Sequence, residues 1–285
     1  MLSVSVVTTS FNQARFLERT ILSVLEQNYP SLEYIVLDPG STDGSRAIIE
    51  RYRDRIAKVI FDPDGGPADG LNRGLAQASG DICAYINSDD TLLPGVVSKA
   101  VKAFEAHPEA DVIYAHGYMV DEDDRILRRV RSTPFDLRRY LYGGVSVFQQ
   151  STFFKRSAFV QVDGFNPETR VGWDGELLVR FARARRKFHL VNDTWAVFRI
   201  HPGSMTGSRS HDHEYYKLHR RLFREVMGRE PRMRDYALRT AIRLEKWLRD
   251  PLSLPQGRRG MLLPASHRSL PGSPGSPPAT RHISG

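Results

Sequence analysis

Short apolar runs alternate with amphipathic stretches over the first 115 residues of the chain. The apolar runs, rich in Val and Ile, are residues 4–9, 33–38, 58–62 and 82–86. The stretches with apolar side chains at helical spacing are residues 15–28, 43–56, 68–79 and 94–107, the last opened by Pro94. Strands that alternate with helices favour parallel pairing through right-handed crossovers. The pattern predicts an α/β fold with a mostly parallel, Rossmann-like sheet flanked by helices.

Two further amphipathic helices are predicted within residues 210–250. The first includes Leu222 on its apolar face, and the second includes Leu238 and Leu244. We expect these faces to pack on the preceding domain; contact with another subunit or with a membrane surface are the alternatives. Residues 251–285 are rich in Pro, Gly and Ser and hold few apolar residues, so this tail is predicted to be disordered.

The formal net charge of +8 is concentrated at the C-terminal end of the chain. Residues 207–285 hold 16 Lys and Arg against 7 Asp and Glu, whereas residues 1–206 are close to neutral. This distribution favours an anionic partner for the C-terminal region, either membrane lipid or nucleic acid. A solvated, Arg-rich helix face is the alternative interpretation.

The single cysteine, Cys83, excludes an internal disulfide framework and suggests a packed thiol in a reducing compartment. The N-terminus lacks the basic and apolar segments of a signal peptide, and no window has the roughly 18 apolar residues of a membrane span. We therefore expect a cytoplasmic protein. Peripheral contact with the inner membrane face through the basic C-terminal region is the alternative location.

Polar residues follow each of the four predicted strands. The loops that contain them are residues 8–12, 38–44, 62–69 and 87–90. Because an open parallel sheet binds ligands at the carboxyl ends of its strands, these loops are predicted to border one crevice. Several of the loops carry Asp, and carboxylates gathered at one edge repel each other unless a cation lies between them. The sequence therefore predicts a cation at this edge.

Three familiar nucleotide sites do not match these loops. The first loop reads TTSFNQ and lacks the G-x-G-x-x-G of a dinucleotide fold, and the chain contains no G-x-x-x-x-G-K-[ST] of a phosphate-binding P-loop. A sugar-1-phosphate nucleotidyltransferase would need a Gly-rich first loop with a basic residue, and this loop has neither before Arg15.

Two long segments resemble a known family. SVVTTSFNQARFLERTILSVLEQNYPSLEYIVLDPGSTDGS and PDGGPADGLNRGLAQASGDICAYINSDDTLLPG are similar to the nucleotide-sugar-binding half of family 2 glycosyltransferases, inverting enzymes with the GT-A fold. The resemblance spans about residues 3–115 and continues in diluted form to about residue 206. It implies a donor-binding half at 1–115 and an acceptor and catalytic half of the same domain at 116–209.

The resemblance implies a nucleotide site over the first two loops. Thr9, Phe11 and Asn12 match the corner that borders the base, and Asp38 matches the acid that accepts a hydrogen bond from it. A carboxylate accepts but does not donate, so a uracil, thymine or guanine edge fits best, which corresponds to a UDP-, dTDP- or GDP-sugar. Asp69 matches a position that contacts the donor, with a first-turn helix charge as the alternative.

The resemblance also implies a metal site. SDD corresponds to the D-x-D signature of the family, in which Asp90 would bind Mg²⁺ or Mn²⁺ and Asp89 would face the ribose or share the ion. His201, in FRIHPGSMTGS, would reach the metal or the diphosphate when its loop closes. Helix capping by the two aspartates and a plain surface role for His201 are the alternatives.

The resemblance places the catalytic base in the second half of the chain. Asp174 corresponds to the base, Glu176 is the reserve candidate, and Trp173 replaces the acid that usually precedes the base. An inverting transfer needs one carboxylate to take the proton of the acceptor hydroxyl. Asp174 as a helix cap and Glu176 as a first-turn charge are the alternatives.

The sequence thus predicts a metal-assisted, inverting glycosyltransferase of the hexosyltransferase type. Its acceptor would be a hydroxyl group of a saccharide or of a lipid-linked saccharide. A module that binds a nucleotide sugar or a divalent ion without turnover is the alternative. A nucleic-acid binder that works through the basic tail is a second one.

Overall fold

The computed structural model describes residues 1–204, 211–249 and 261–262. The strands are β1 (Val4–Thr9), β2 (Leu32–Leu37), β3 (Lys58–Ile60), β4 (Ile82–Tyr85), β5 (Thr91–Leu92), β6 (Val112–Val120), β7 (Arg125–Val130), β8 (Phe153–Lys155), β9 (Phe188–Arg199) and β10 (Met261–Leu262). The helices are α1 (Ala14–Leu25), α2 (Ser45–Arg51), α3 (Pro67–Ala76), α4 (Val96–Ala106), α5 (Leu137–Leu141), α6 (Arg156–Gln161), α7 (Trp173–Arg183), α8 (Asp212–Met227) and α9 (Met233–Arg249). Single 3₁₀ turns cover Arg53–Arg55 and Gln149–Ser151.

The strands form one sheet in the order β10-β7-β6-β8-β4-β1-β2-β3, and β9 pairs with both β5 and β6. Strands β3, β2, β1 and β4 are parallel, as predicted from the alternation of strands and helices. Beyond β4 the sheet is mixed, because β8 runs antiparallel to β4 and β7 antiparallel to β6, while β9 runs parallel to β6. The turn between β6 and β7 is too short for a crossover and allows only antiparallel pairing.

Helices cover both faces of the sheet, and β1 shows why. Successive side chains of a strand point to opposite faces. Val4 and Val6 pack in a cluster with α1 and α4, while Val7 packs in a second cluster with α3 and α7. The carboxyl ends of β1, β2 and β4 therefore open between two helical layers, at the edge where the sequence predicts a ligand.

One predicted helix start is wrong. Helix α4 begins at Val96, and Gly95, in the left-handed conformation with φ of 72°, is its N-cap. The left-handed turn at Gly95 prevents the helix from extending toward the N-terminus, so Pro94 lies before the helix and not in its first turn.

The two C-terminal helices differ in how they pack. Helix α8 buries Leu222 and Phe223 in a third cluster with α5, as expected. Helix α9 contributes Ile242 to that cluster, but its Leu238 and Leu244 are exposed, so the expectation that they pack on the domain is wrong. The predicted disordered tail lies outside the described residues, except for strand β10. None of the helices in the described ranges is both long enough and apolar enough to span a bilayer.

Candidate active site

A cavity of about 950 Å³ opens at the carboxyl ends of β1 and β4. Four residues predicted from the sequence line it: Thr9, Phe11, Asp89 and Asp174. The other predicted site residues are outside its immediate wall: Asn12, Asp38, Asp69, Asp90, Glu176 and His201. Both halves of the chain contribute to the cavity, so residues distant in sequence can act on one ligand.

The first two loops are fastened to each other beside the cavity. Asn12 accepts a hydrogen bond from the Thr42 N–H at 2.9 Å and donates its own N–H to Ser41 Oγ at 2.8 Å. Asn12 therefore holds the two loops together and leaves the cavity wall to Thr9 and Phe11.

Asp38 is completely buried next to Pro39, which lines the cavity. Its Oδ1 accepts hydrogen bonds from the Ser41 N–H at 2.8 Å, the Gly40 N–H at 3.1 Å and Arg46 Nε at 3.2 Å. Its Oδ2 has no partner among the described residues. A buried carboxylate oxygen without a partner is costly, and a ligand N–H would satisfy it.

Asp69 does not reach the cavity. It accepts a hydrogen bond from the Gly65 N–H at 2.8 Å and pairs with Arg73 Nε at 2.9 Å, which ties the loop before α3 to the helix. Asp64 of the same loop lines the cavity instead. Burial raises the pKa of Asp64, and the nearby charges of Asp69 and Asp38 raise it further. Sequence reasoning missed Asp64, although it is the acid that directly precedes the two glycines of the loop.

Asp89 lines the cavity and lies close to the predicted histidine. Its Oδ2 is 3.1 Å from His201 Nε2, although the two residues are 112 positions apart. The His201 ring packs on Phe16 with their centroids 4.7 Å apart, which fixes the imidazole beside the carboxylate. The structure thus brings together two of the predicted metal ligands.

Asp90 points into the protein and not toward the cavity. Its Oδ2 accepts hydrogen bonds from Gln150 Nε2 at 3.0 Å and Asn87 Nδ2 at 3.2 Å, and its Oδ1 accepts one from the Arg199 N–H at 2.9 Å. Burial raises its pKa well above the usual carboxyl value, and the charge of Asp89 adds to the shift. This geometry does not favour Asp90 as the leading metal ligand, because both of its carboxylate oxygens already accept hydrogen bonds from protein groups.

Asp174 lies in the first turn of α7 and lines the cavity. The preceding Gly172 is the N-cap, with φ of 67°, and a Cβ there would lie 2.8 Å from the Leu218 side chain. Asp174 is thus not the N-cap that the alternative interpretation required. Burial raises the pKa of Asp174, so it holds a proton more tightly than an exposed aspartate does. Such a carboxylate is suited to take a proton near neutral pH.

Glu176 is buried away from the cavity. Its Oε2 pairs with Arg221 Nη2 at 2.9 Å and accepts a hydrogen bond from Thr169, while Oε1 accepts one from Asn166 Nδ2 at 3.3 Å. These contacts connect α7 to α8 and to the loop before α7. The reserve base candidate therefore has a structural role in this arrangement.

Buried polar atoms without a partner are concentrated at the cavity. Within the described ranges five side-chain atoms are of this kind: Ser10 Oγ, Asp38 Oδ2, Tyr85 OH, Trp173 Nε1 and Arg239 Nε. Ser10, Tyr85 and Trp173 line the cavity, and Asp38 is adjacent to its wall. Buried polar groups are nearly always hydrogen-bonded in folded proteins. The concentration of such unpartnered atoms at the cavity therefore favours a polar ligand there. Sequence reasoning did not single out Ser10 or Tyr85, because each lies within an otherwise apolar or loop segment.

A complete metal centre is not formed by protein groups alone. Across residues 1–204, 211–249 and 261–262, no three His, Cys, Asp or Glu side chains are close enough to hold an ion together. Asp89 and His201 would supply two ligands if an ion were bound, and the remaining ones would come from a bound diphosphate and water. Mg²⁺ and Mn²⁺ at phosphate sites are usually held by only one or two protein carboxylates, so this donor set fits such an ion.

Comparison with known proteins gives a family match. Residues 5–215 match the family described as Glycosyl transferase family 2. An uncharacterized glycosyltransferase of Mycobacterium tuberculosis is 36% identical over 185 residues, which cover 63% of this chain and 69% of that protein.

Two solved structures share the fold. S. aureus TarS in complex with UDP-GlcNAc aligns with a TM-score of 0.64 and 20% identity over 87% of this chain and 72% of that chain. The mannosyltransferase PcManGT from Pyrobaculum calidifontis, in complex with GDP-Man and Mn²⁺, aligns with a TM-score of 0.61 and 19% identity over 87% and 70% of the two chains. The predicted GT-A type fold is confirmed.

Proposed function

Because the chain belongs to glycosyl transferase family 2, we propose that it transfers a sugar from a nucleotide-diphosphate donor to a hydroxyl group of a saccharide or lipid-linked saccharide. The transfer would invert the configuration at the anomeric carbon. One observation carries the proposal: Asp89, after β4, and Asp174, in α7, line the same cavity. Asp89 would bind the metal ion at the departing diphosphate, and Asp174 would take the proton of the attacking hydroxyl.

The nucleobase would bind beside the first two loops. Asp38 Oδ2 is a buried acceptor that finds no partner in the part of the chain that the structure describes, and the ring N–H of uracil, thymine or guanine is the donor that suits it. Phe11, exposed at the cavity, offers an aromatic ring beside the base. The similar protein TarS was crystallised in complex with UDP-GlcNAc, and the structure of PcManGT is a complex with GDP-Man, which supports a uridine or a guanosine donor for this chain.

The diphosphate would lie near Asp89 and His201, which could hold Mg²⁺ or Mn²⁺. Such an ion, when bound, neutralises charge that develops on the departing diphosphate. Asp89 is the preferred ligand in this proposal because it lines the cavity, whereas both oxygens of Asp90 accept protein hydrogen bonds. The solved structure of the neighbour PcManGT is a complex with GDP-Man and Mn²⁺.

Asp174 would act as the base. Its carboxylate takes the proton of the acceptor hydroxyl while that oxygen forms a bond to the anomeric carbon. The bond between the anomeric carbon and the phosphate oxygen breaks, and the nucleoside diphosphate leaves with the electron pair. Tyr85 OH and Trp173 Nε1, both at the cavity and without a partner among the described residues, would orient the acceptor.

The acceptor class and the location of the protein are part of the proposal. A lipid-linked acceptor would bring the C-terminal region close to a membrane, and a specific surface for this contact is argued below. The cytoplasmic location stays a prediction from the sequence.

A thermal-shift screen tests the donor and metal assignments together. The chain would be heated with UDP-, GDP- and dTDP-sugars, each with and without Mn²⁺. We expect one nucleotide class to raise the unfolding temperature in a Mn²⁺-dependent way, since a ligand at about 100 times its Kd adds about 2.7 kcal/mol to stability. The absence of any shift at millimolar donor with Mn²⁺ would contradict the proposal.

A non-catalytic binding module predicts the same thermal shift. It differs from the enzyme because it releases no nucleoside diphosphate when an acceptor is added. The position of Asp174 in the cavity favours the enzyme. Nucleoside diphosphate release in the presence of candidate saccharide acceptors separates the two functions.

A further inference from the structure

Helix α9 exposes an apolar stripe that faces away from the domain. Met233, Ala237, Ala241, Leu244 and Leu248 recur every three or four residues and are all exposed. The exposed fractions are 84% for Met233, 53% for Leu244 and 64% for Leu248. Residues at this spacing share one face of a helix. We call these five residues the outer α9 face.

The opposite side of α9 is held firmly against the domain. Ile242 packs in the cluster formed with α5 and α8. Asp235 accepts a hydrogen bond from Tyr142 OH at 2.8 Å and pairs with Arg229. The outer α9 face is therefore presented by an anchored helix.

The rim of the outer α9 face is basic and aromatic. Given the roughly 100° rotation per helical residue, Arg234 borders the stripe on one side, and Arg243 lies farther round the helix on the other side, where its side chain approaches Gly143. The two acids of α9, Asp235 and Glu245, pair with Arg229 and Arg139 and do not neutralise this rim.

Two exposed tyrosines complete the rim. Tyr236 of α9 and Tyr216 of α8 are both exposed, and interaction with the Tyr216 side chain raises the pKa of Tyr236, so the two rings are neighbours. Tyrosine has an apolar ring and a polar hydroxyl group, and it is common where proteins meet the membrane–water interface.

The occupant of this face has to satisfy both the apolar stripe and the arginines. The rest of this chain is a poor candidate, because the sequence contains no Asp or Glu after Asp250. A second copy is also a poor candidate, because a symmetric contact would bring two arginine rims together. An anionic lipid surface supplies hydrocarbon for the leucines and phosphate groups for the arginines.

We propose that the outer α9 face docks on an anionic bilayer. Helix α8 connects this face with the cavity, since Tyr215 lines the cavity and the adjacent Tyr216 belongs to the rim. Docking would thus bring the Tyr215 side of the cavity toward lipid, where a lipid-linked acceptor would be found. Only this last step rests on the proposed function; docking itself does not.

Vesicle co-sedimentation of the full chain tests the proposal. The vesicles contain phosphatidylcholine alone or phosphatidylcholine with phosphatidylglycerol. We expect binding only to the vesicles with phosphatidylglycerol, and weaker binding as salt rises. Leu244→Gln with Leu248→Gln should weaken it at least about tenfold, because two leucines lose their hydrocarbon contact. Arg234→Gln with Arg243→Gln should weaken it about tenfold and reduce its salt dependence.

The matched control is Val160→Gln, which changes a 61% exposed apolar residue on α6 and should leave binding unchanged. Thermal shift with nucleotide sugar should be equal in all variants, so a loss of docking is distinguishable from a loss of donor binding. No binding to either vesicle, or equal binding by the leucine variant, would overturn the proposal. Light scattering provides a further test. If the chain is a dimer and the two leucine substitutions make it monomeric, the outer α9 face binds a second copy of the chain, and the docking proposal is overturned.

Discussion

The end of β4 and the first turn of α7 each carry two carboxylates, and the structure divides both pairs in the same way. Asp89 and Asp174 line the cavity. Asp90 and Glu176 are buried in hydrogen bonds with other protein groups. Each segment thus contains one carboxylate that faces the ligand site and one that holds the surrounding structure.

Local geometry separates the two members of each pair, and distant partners decide which one is buried. Asp89 and Asp90 lie in a turn after β4, in which the Asp90 N–H donates to the Asn87 carbonyl at 3.1 Å, and the two side chains leave this turn toward different surroundings. Residues two apart on a helix are about 200° apart, so Asp174 and Glu176 cannot share a face either. Which carboxylate of each pair faces the cavity is set by the partners of the other one, Gln150 for Asp90 and Arg221 for Glu176.

The two structural carboxylates differ in what holds them. Asp90 binds uncharged donors, and burial raises its pKa, whereas Glu176 pairs with the Arg221 guanidinium. Loss of the Glu176 charge would leave a cation unpaired, while loss of the Asp90 side chain would leave three N–H donors without an acceptor. The comparison predicts that changes at the cavity-facing residues reduce activity and that changes at the structural ones reduce stability.

The largest effect is expected for Asp174→Asn. Transfer should fall about 10²- to 10⁴-fold, because the acceptor proton loses its base, while the Mn²⁺-dependent thermal shift with donor stays. The raised pKa of Asp174 means that its charge is disfavoured in the folded state and costs stability above that pKa. The variant should therefore unfold at an equal or higher temperature at pH 8.

Glu176→Gln is the matched comparison within α7. It should lower the unfolding temperature, because Arg221 loses its charged partner, and it should reduce turnover far less than Asp174→Asn does. If Glu176→Gln abolishes transfer while the protein keeps its normal stability, the assignment of a structural role to Glu176 is contradicted. Glu176 would then be the base.

The next largest effects distinguish the role of Asp89 from that of Asp90. Asp89→Asn should remove the Mn²⁺-dependent part of the donor thermal shift and reduce transfer about 100-fold, with the stability of the free protein unchanged. Asp90→Ala should instead destabilise the free protein by about 2 to 4 kcal/mol, because it leaves buried donors unpaired. Urea unfolding and thermal shift measure the two quantities. A stable Asp90→Ala variant without a Mn²⁺ response would return the leading metal role to Asp90.

The fold of the first half was predictable because its signals are local. Strand β1 matches the predicted run at 4–9, and the loops after the parallel strands do border one cavity. The division within each acidic pair was not predictable, because it depends on distant partners. Gln150 binds Asp90 from 60 positions away, and Arg221 binds Glu176 from 45 positions away. The antiparallel pairing of β4 with β8 also depends on a long-range contact, because it joins Cys83 to Phe154.

The pH dependence of transfer sharpens the assignment of the base. Asp174 acts only when ionised, and burial raises its pKa, so kcat should fall as the pH falls through a value above the usual aspartate range. Asp64 also has a raised pKa and lines the cavity, so donor binding has to be followed by thermal shift at each pH. The residual kcat of Asp174→Asn should no longer fall at acidic pH. An unchanged fall of kcat in that variant would assign it to another group.

The smallest effect is expected for Tyr85→Phe, which removes only the hydroxyl group. In the described part of the chain Tyr85 OH has no partner, so its loss should cost no stability. Burial raises the pKa of Tyr85, and the negative charge of Asp174, which lines the same cavity, raises it further. Loss of one neutral hydrogen bond should therefore raise the acceptor KM about 2- to 12-fold and leave the donor KM unchanged.

Tyr34→Phe is the control for this change, because Tyr34 OH donates a buried hydrogen bond to Thr8 Oγ1 at 3.0 Å. It should lower the unfolding temperature and leave both KM values unchanged. A rise of the donor KM in Tyr85→Phe would place this hydroxyl at the donor sugar. Equal effects of the two variants on stability would show that Tyr85 OH is satisfied within the protein, and the cavity would then lose one of the unpartnered groups that indicate an acceptor site.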